Sequence, residues 1–180
     1  MMTENEIYQA VGDLIVNFTD ADNDKVLQSN PNRAPVPKDD DFIYMFILTQ
    51  NRQSTNIKEV VLKVEGETTT TENTFQPTRL PIQIDCYGPK AFEWATIITT
   101  ILRDPQGTSF LENLGLTSLF SDDAKNLTDI SLGSEQYTSR WMVQAEIQVI
   151  QKIEIEIETF EELENPELIE VYSTYPDTEE

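Results

Sequence analysis

Residues 79–104 read RLPIQIDCYGPKAFEWATIITTILRD, and the hydrophobic period changes halfway through them. Leu80, Ile82, Ile84 and Cys86 alternate with Pro81, Gln83 and Asp85, which is the period of two expected of a strand with one buried face. Gly88 then supplies a flexible turn. Pro89 suits a first helical position, and Ala91, Trp94, Ala95, Ile98, Ile101 and Leu102 follow at helical spacing. The stretch predicts a strand feeding a helix that folds its apolar stripe back onto a sheet. Asp85 and Tyr87 flank the crossover, where an aspartate is expected to cap the helix or complement its dipole.

Working outward, residues 4–18 carry Ile7, Val11, Leu14, Ile15 and Phe18 on one helical face and predict an amphipathic first helix. Residues 23–38 combine Asn, Asp, Pro31, Pro35 and Pro37 and predict a loop. Asp20, Asp22 and Asp24 imitate the start of a calcium loop, but Lys25 stands where its glycine belongs and Pro31 where its bidentate glutamate belongs. Residues 42–49, FIYMFILT, predict a strand covered on both faces, and residues 60–64 its antiparallel partner. The Thr-rich run at 65–77 is compatible with either a strand continuation or a hairpin tip. Residues 110–114 predict at most a short helix ended by Gly115, residues 116–120 a short strand, and residues 122–131 a connection with loose β tendency.

The second strong pattern closes the body. Val143, Ala145, Ile147 and Val149 alternate with Met142, Gln144, Glu146 and Gln148, and Ile153, Ile155 and Ile157 alternate with Lys152, Glu154 and Glu156. Ile150 and Gln151 interrupt the pattern and suggest a bulge or a handover between sheets. Sixteen residues at about 3.3 Å each span roughly 50 Å, more than a compact domain of this size needs. The strand therefore either leaves the body to pair with another chain or bends within its own subunit. The expected fold class is α+β, an antiparallel or mixed sheet with two main helices on one face and an extended C-terminal strand. Residues 1–152 are expected to form the domain and residues 153–180 an acidic extension.

Composition narrows function. With 180 residues, no histidine and one cysteine, the chain has no Ser-His-Asp or Cys-His nucleophile, no His-bearing zinc site and no intrachain disulfide. Cys86, on the apolar side of its strand, reads as a buried inert thiol. No run is long and apolar enough for a membrane span, and the first residues lack the pattern of a signal peptide, so a soluble protein made in a reducing cytoplasm is expected. The net charge of -21 opposes a grip on phosphates. Eleven acidic residues and no basic ones lie in 153–180, against 22 acidic and all 12 basic residues before them. An enzyme would have to work with carboxylates alone, and Asp39, Asp40 and Asp41, the tightest aspartate cluster, read as a solvated loop. No catalytic residue, cofactor or metal is expected.

Four segments together resemble the neck and tail terminator proteins of tailed bacteriophages: NRAPVP at 32–37 before the aromatic strand, IDCYGPKA at 84–91, GLTSLF at 115–120 and EQYTSRWMVQAEIQV at 135–149. They occur in the family's order and cover roughly residues 3–152. The resemblance implies a structural virion protein, assembled in the host cytoplasm. It would form a ring, typically a hexamer, at the head-proximal end of the tail, capping the tail tube and joining tail to head. Its partners would be further copies of itself, a tube or sheath protein on one side and a head-completion or connector protein on the other. DNA would pass without specific binding, and no membrane would be involved. A head-closure or tail-completion adaptor is the alternative role. Arg33, Arg79, Arg103 and Arg140 are candidates for ion pairs across an interface, since arginine pairs carboxylates bidentately, though pairing within the chain fits each equally. Tyr137 and Trp141 are candidate anchors, with a core position the simpler reading for Trp141, and Ile153, Ile155 and Ile157 form the candidate joining strand.

Overall fold

The computed structural model describes residues 1–28, 41–65, 67–127, 129–130 and 137–157. Helix α1 (Glu4–Phe18) begins with a reciprocal cap: the Glu6 backbone N–H donates to Thr3 Oγ1 at 3.3 Å, and the Thr3 N–H donates to Glu6 Oε2 at 2.6 Å. A 3-10 turn (Asn23–Lys25) leads to β1 (Val26–Gln28), then β2 (Phe42–Ile47), β3 (Asn51–Arg52), β4 (Ile57–Glu65) and β5 (Glu67–Tyr87). Next come α2 (Ala91–Arg103), α3 (Pro105–Asn113), β6 (Leu116–Ser121), β7 (Lys125–Asn126), β8 (Asp129–Ile130), β9 (Tyr137–Thr138) and β10 (Arg140–Ile157). The fold is α+β with strands predominating, and the parallel β1–β2 pair makes its main sheet mixed.

Strand β5 organises that sheet. Along one side it pairs in succession with β2, β3 and β4, and along the other it pairs with β10 without a break from Tyr87↔Arg140 to Thr70↔Ile157. Strand β1 lies outside β2, while β6 and β7 lie outside the first part of β10. Even-numbered residues of β5 from Leu80 to Cys86 face the helices with Ile43, Met45, Val143, Ala145 and Ile147, and the three helices close over them. Trp94, Ile98, Leu14, Ile15, Leu111 and Leu116 complete this core, each with almost no exposed surface. At roughly 1.5–3 kcal/mol per large buried apolar side chain, this layer supplies most of the driving force for folding.

Several expectations change. The helix after the first-quoted strand starts at Ala91, so Pro89 lies in the preceding turn, and Asp85 does not cap it. Asp104 instead caps α3, accepting from the Gln106 N–H at 2.8 Å with Pro105 in the first turn, so a third helix of nine residues stands where at most a short one was expected. The Thr-rich run is strand throughout its described part. The bulge expected at Ile150 and Gln151 is absent. Residues 143–149 and 153–157 keep one parity against β5, and the register shift of β10 falls on its β6 side, between Glu146 and Ile147.

Gln151 is the exception that explains the interrupted pattern. It is polar, buried and on the helix side because its side chain serves as a backbone partner. Its Oε1 accepts from the Met2 N–H and its Nε2 donates to the Met2 carbonyl, both at 3.1 Å. This bridge ties the start of the helix layer to β10. Beyond it, β4, the first part of β5 and the last part of β10 continue as a three-stranded arm. A strand of 21 residues at about 3.3 Å each makes β5 roughly 70 Å long.

Candidate assembly surface

Three surfaces stand out: the arm, its root, and the face of the sheet away from the helices. In the arm the central strand is the protected one. Thr71, Asn73 and Thr74 are buried, whereas the flanking strands expose Ile57 (62%), Val60 (58%), Ile153 (43%) and Ile155 (48%). Among the described residues, no strand pairs with the outer edge of β4 or with the outer edge of β10 at 150–157. Backbone groups along both edges are therefore available as templates for another strand. At the root, a cavity of about 370 Å³ is bordered by Met1, Met2, Ile7, Ile47, Leu80 and Gln151.

The sheet face away from the helices carries an ion pair at its centre. Asp85 is fully buried there, its Oδ2 accepting from Arg140 at 2.8 Å and from Gln83 Nε2 at 2.9 Å. Arg140 also lies 5.5 Å from the Tyr87 ring, which stacks on Phe42 at 4.7 Å. A buried carboxylate without such partners would cost several kcal/mol, so this pair fixes how β5 and β10 align on that face. Further along the same face, Arg79 meets Glu146 at 3.2 Å, half exposed and correspondingly weak.

The remaining candidates separate. Arg103 sits at the end of α2, donating to the Ser121 carbonyl at 2.7 and 3.1 Å and to Asp123 at 2.8 Å, so it ties α2 to the end of β6. Trp141 is half-buried on the helix side, its ring 4.9 Å from exposed Phe92. Ile157 ends β10 and Tyr137 begins β9, but their side chains, like Arg33 altogether, lie outside the described residues. Asp39 and Asp40 do so as well, while Asp41 accepts from the Lys90 N–H at 2.9 Å. The structure thus gathers Ile153 and Ile155 on the arm, and it spreads Arg79, Arg103 and Arg140 over three places, each engaged within the chain. The sequence reading missed Ile57 and Val60, which match Ile153 and Ile155 in exposure. Their only signal was apolar character in and just before a strand expected to pair with residues 42–49; that strand, β4, pairs with β5 instead, and its second edge was not legible.

Burial pushes the Cys86 thiol up to about 12, which keeps it protonated and inert. Among the described residues no group of three or more Cys, Asp or Glu side chains is placed to hold a metal ion, and no helix is long and apolar enough to cross a membrane.

A one-sided helix layer and a β arm whose two outer edges are unpaired among the described residues define a subunit suited to joining other subunits. The phage neck terminator protein family matches residues 5–170, and the chain belongs to that family. It is therefore a structural component of the phage virion, in the neck, where it contacts other tail or head proteins. No curated protein matches the sequence.

Proposed function

We propose that copies of this chain close into a ring, a hexamer, at the head-proximal end of the tail, capping the tail tube and joining it to the head while DNA passes through. The observation that carries this reading is the arm: among the described residues it leaves the body with four large apolar side chains exposed on its two flanking strands. Exposed apolar edges on a long, flat strand are an association hazard unless neighbours cover them, and a ring covers every copy equally. A charge of -21 per copy suits a conduit, because a surface poor in Lys and Arg lets phosphate slide rather than hold. Arg33, Tyr137, Trp141 and Ile157 join Ile153 and Ile155 as proposed interface residues, and residues 153–180 as an acidic extension of the domain.

The test is mass photometry of the purified chain, followed by placement in a density map of the virion. Rings of six copies, located between tube and connector, are expected. A chain that stays monomeric with or without purified tail tubes would overturn the reading. Density beside the portal rather than the tube would reassign it as a head-closure adaptor.

A further inference from the structure

The two open edges of the arm bear a relation that a chance pair of edges would lack. Strands β4 and β10 both run antiparallel to β5, so they run parallel to each other. They also pair with the same residues of β5 and stand at the same height: Glu59, Asn73 and Glu154 form one level, and Val60, Glu72 and Ile155 the next. Any rotation about an axis along the arm therefore brings β4 of one copy beside β10 of the next, running the same way and level with it. What the arm lacks is more strand at its flanks, since, among the described residues, its middle is already buried and its exposed apolar side chains lie on β4 and β10.

We infer that the arms join edge to edge, β10 of one copy pairing in parallel with β4 of a second copy, until they close into a continuous β-barrel. This rests on the ring proposed above and specifies what holds it together. The magnitudes are consistent. Six three-stranded arms make eighteen strands. At about 4.8 Å per strand and a tilt near 40°, the backbone cylinder is roughly 36 Å across, and inward side chains leave roughly 25 Å. A DNA duplex of about 20 Å passes such a bore, whereas five copies would leave only about 20 Å and bind it tightly. The helix layer lies outside a closed barrel because the bore cannot hold it. The opposite face, with Glu59, Asn73 and Glu154 on one level, then turns inward, and Lys152, which pairs with Glu154 at 2.6 Å, turns inward with it. A tilt near 40° over eighteen strands requires a stagger of about four residues at each new junction, so Glu154 falls beside the neighbour's Thr55 or Lys63 rather than opposite Glu59, which avoids a like-charge pair.

Engineered disulfides test the junction. Within one chain, β4 and β10 are two strand spacings apart, about 9.6 Å, beyond the roughly 7 Å limit between bridged Cα atoms. A bond between them can form only between copies. The double variants Lys63→Cys with Glu154→Cys, and Thr55→Cys with Glu154→Cys, are oxidised as full-length assembled protein, with Glu59→Cys and Glu154→Cys as the off-register control. Native Cys86 is buried and adds no background. A ladder of covalent multimers ending at the ring number is expected from one of the first two pairs, with a much weaker ladder from the control. Rings that persist by mass photometry but give no ladder from any pair overturn the arm junction and leave the ring standing; absence of rings in the wild type overturns both. As a second measure, Val60→Lys with Ile155→Lys changes exposed residues only. It should leave the thermal transition within a few degrees and abolish rings, and rings that survive it overturn the junction.

Discussion

Asp20 shows how much a single exposed carboxylate can organise. Its Oδ1 accepts from Trp94 Nε1 at 2.5 Å, while its Oδ2 pairs with the Lys90 ammonium, so the residue just after α1 holds both the first turn of α2 and the turn before it. The Lys90 hydrogen bond, followed by that from Trp94, holds the Asp20 carboxyl below the usual carboxylate range, and the same contact raises Lys90. A depressed carboxyl contributes stability that is present above its unfolded value near 4 and disappears as pH falls through the folded value. Thermal melts of Asp20→Asn are expected to show a lower Tm than wild type at pH 7, with the gap closing as pH falls below the unfolded carboxyl value. A gap that stays constant with pH would mean that packing, and not charge, carries the contact. This residue was legible in sequence only as part of a failed calcium loop. Its true partners lie 70 and 74 positions away, and nothing in local spacing signals them. The same holds for Asp85 and Arg140, 55 residues apart, where the sequence offered a helix cap and the fold uses a cross-strand ion pair.

Among the elements, α2 and α3 meet more closely than their compositions suggest. A Cβ at Gly107 would stand 2.1 Å from the Ile101 carbonyl oxygen, so only glycine lets the first turn of α3 cross the end of α2. Gly107→Ala gains helix propensity of about 1 kcal/mol but forces backbone apart in a packed corner, which at so short a contact costs about 3 kcal/mol or more. Calorimetry should show a Tm lowered by about 3–8 °C for a chain of this size, and an unchanged or raised Tm would refute the close approach. Helix α3 was hard to read because only Gly107 and Leu111 are buried in it, too few to leave a periodic stripe. The Thr-rich part of β5 was ambiguous for a related reason: strands on both sides shield it, and no apolar layer covers it, so alternation is absent. Where one face packs on a hydrophobic layer the sequence was clear, as in α1, the second half of β5 and the first half of β10.

For the whole molecule, charge is the dominant fact. Each copy carries -21, so copies brought side by side repel until counterions screen them. Raising salt from about 20 to about 200 mM shortens the screening length from roughly 20 to roughly 7 Å, less than the spacing between neighbouring bodies. The fraction of protein in rings, read by mass photometry, should therefore rise over that range. Rings that dissolve with added salt would point to an interface held by ion pairs instead of strand edges. Composition made this expectation accessible from the start. The two-edged arm was accessible only in part, because a sequence shows that a strand is long without showing which of its edges has been left uncovered.

The unbroken register of β5 and β10 has a mechanical consequence. Both strands run from beneath the helices to the far end of the arm with no bulge against each other and no loop, so no hinge separates the two regions. A push at the tip acts as torque on a lever whose fulcrum is the Gln151–Met2 bridge, and the helix layer must turn with it. A load on the tip would therefore reach the helix layer through the strands themselves, with no separate element to relay it.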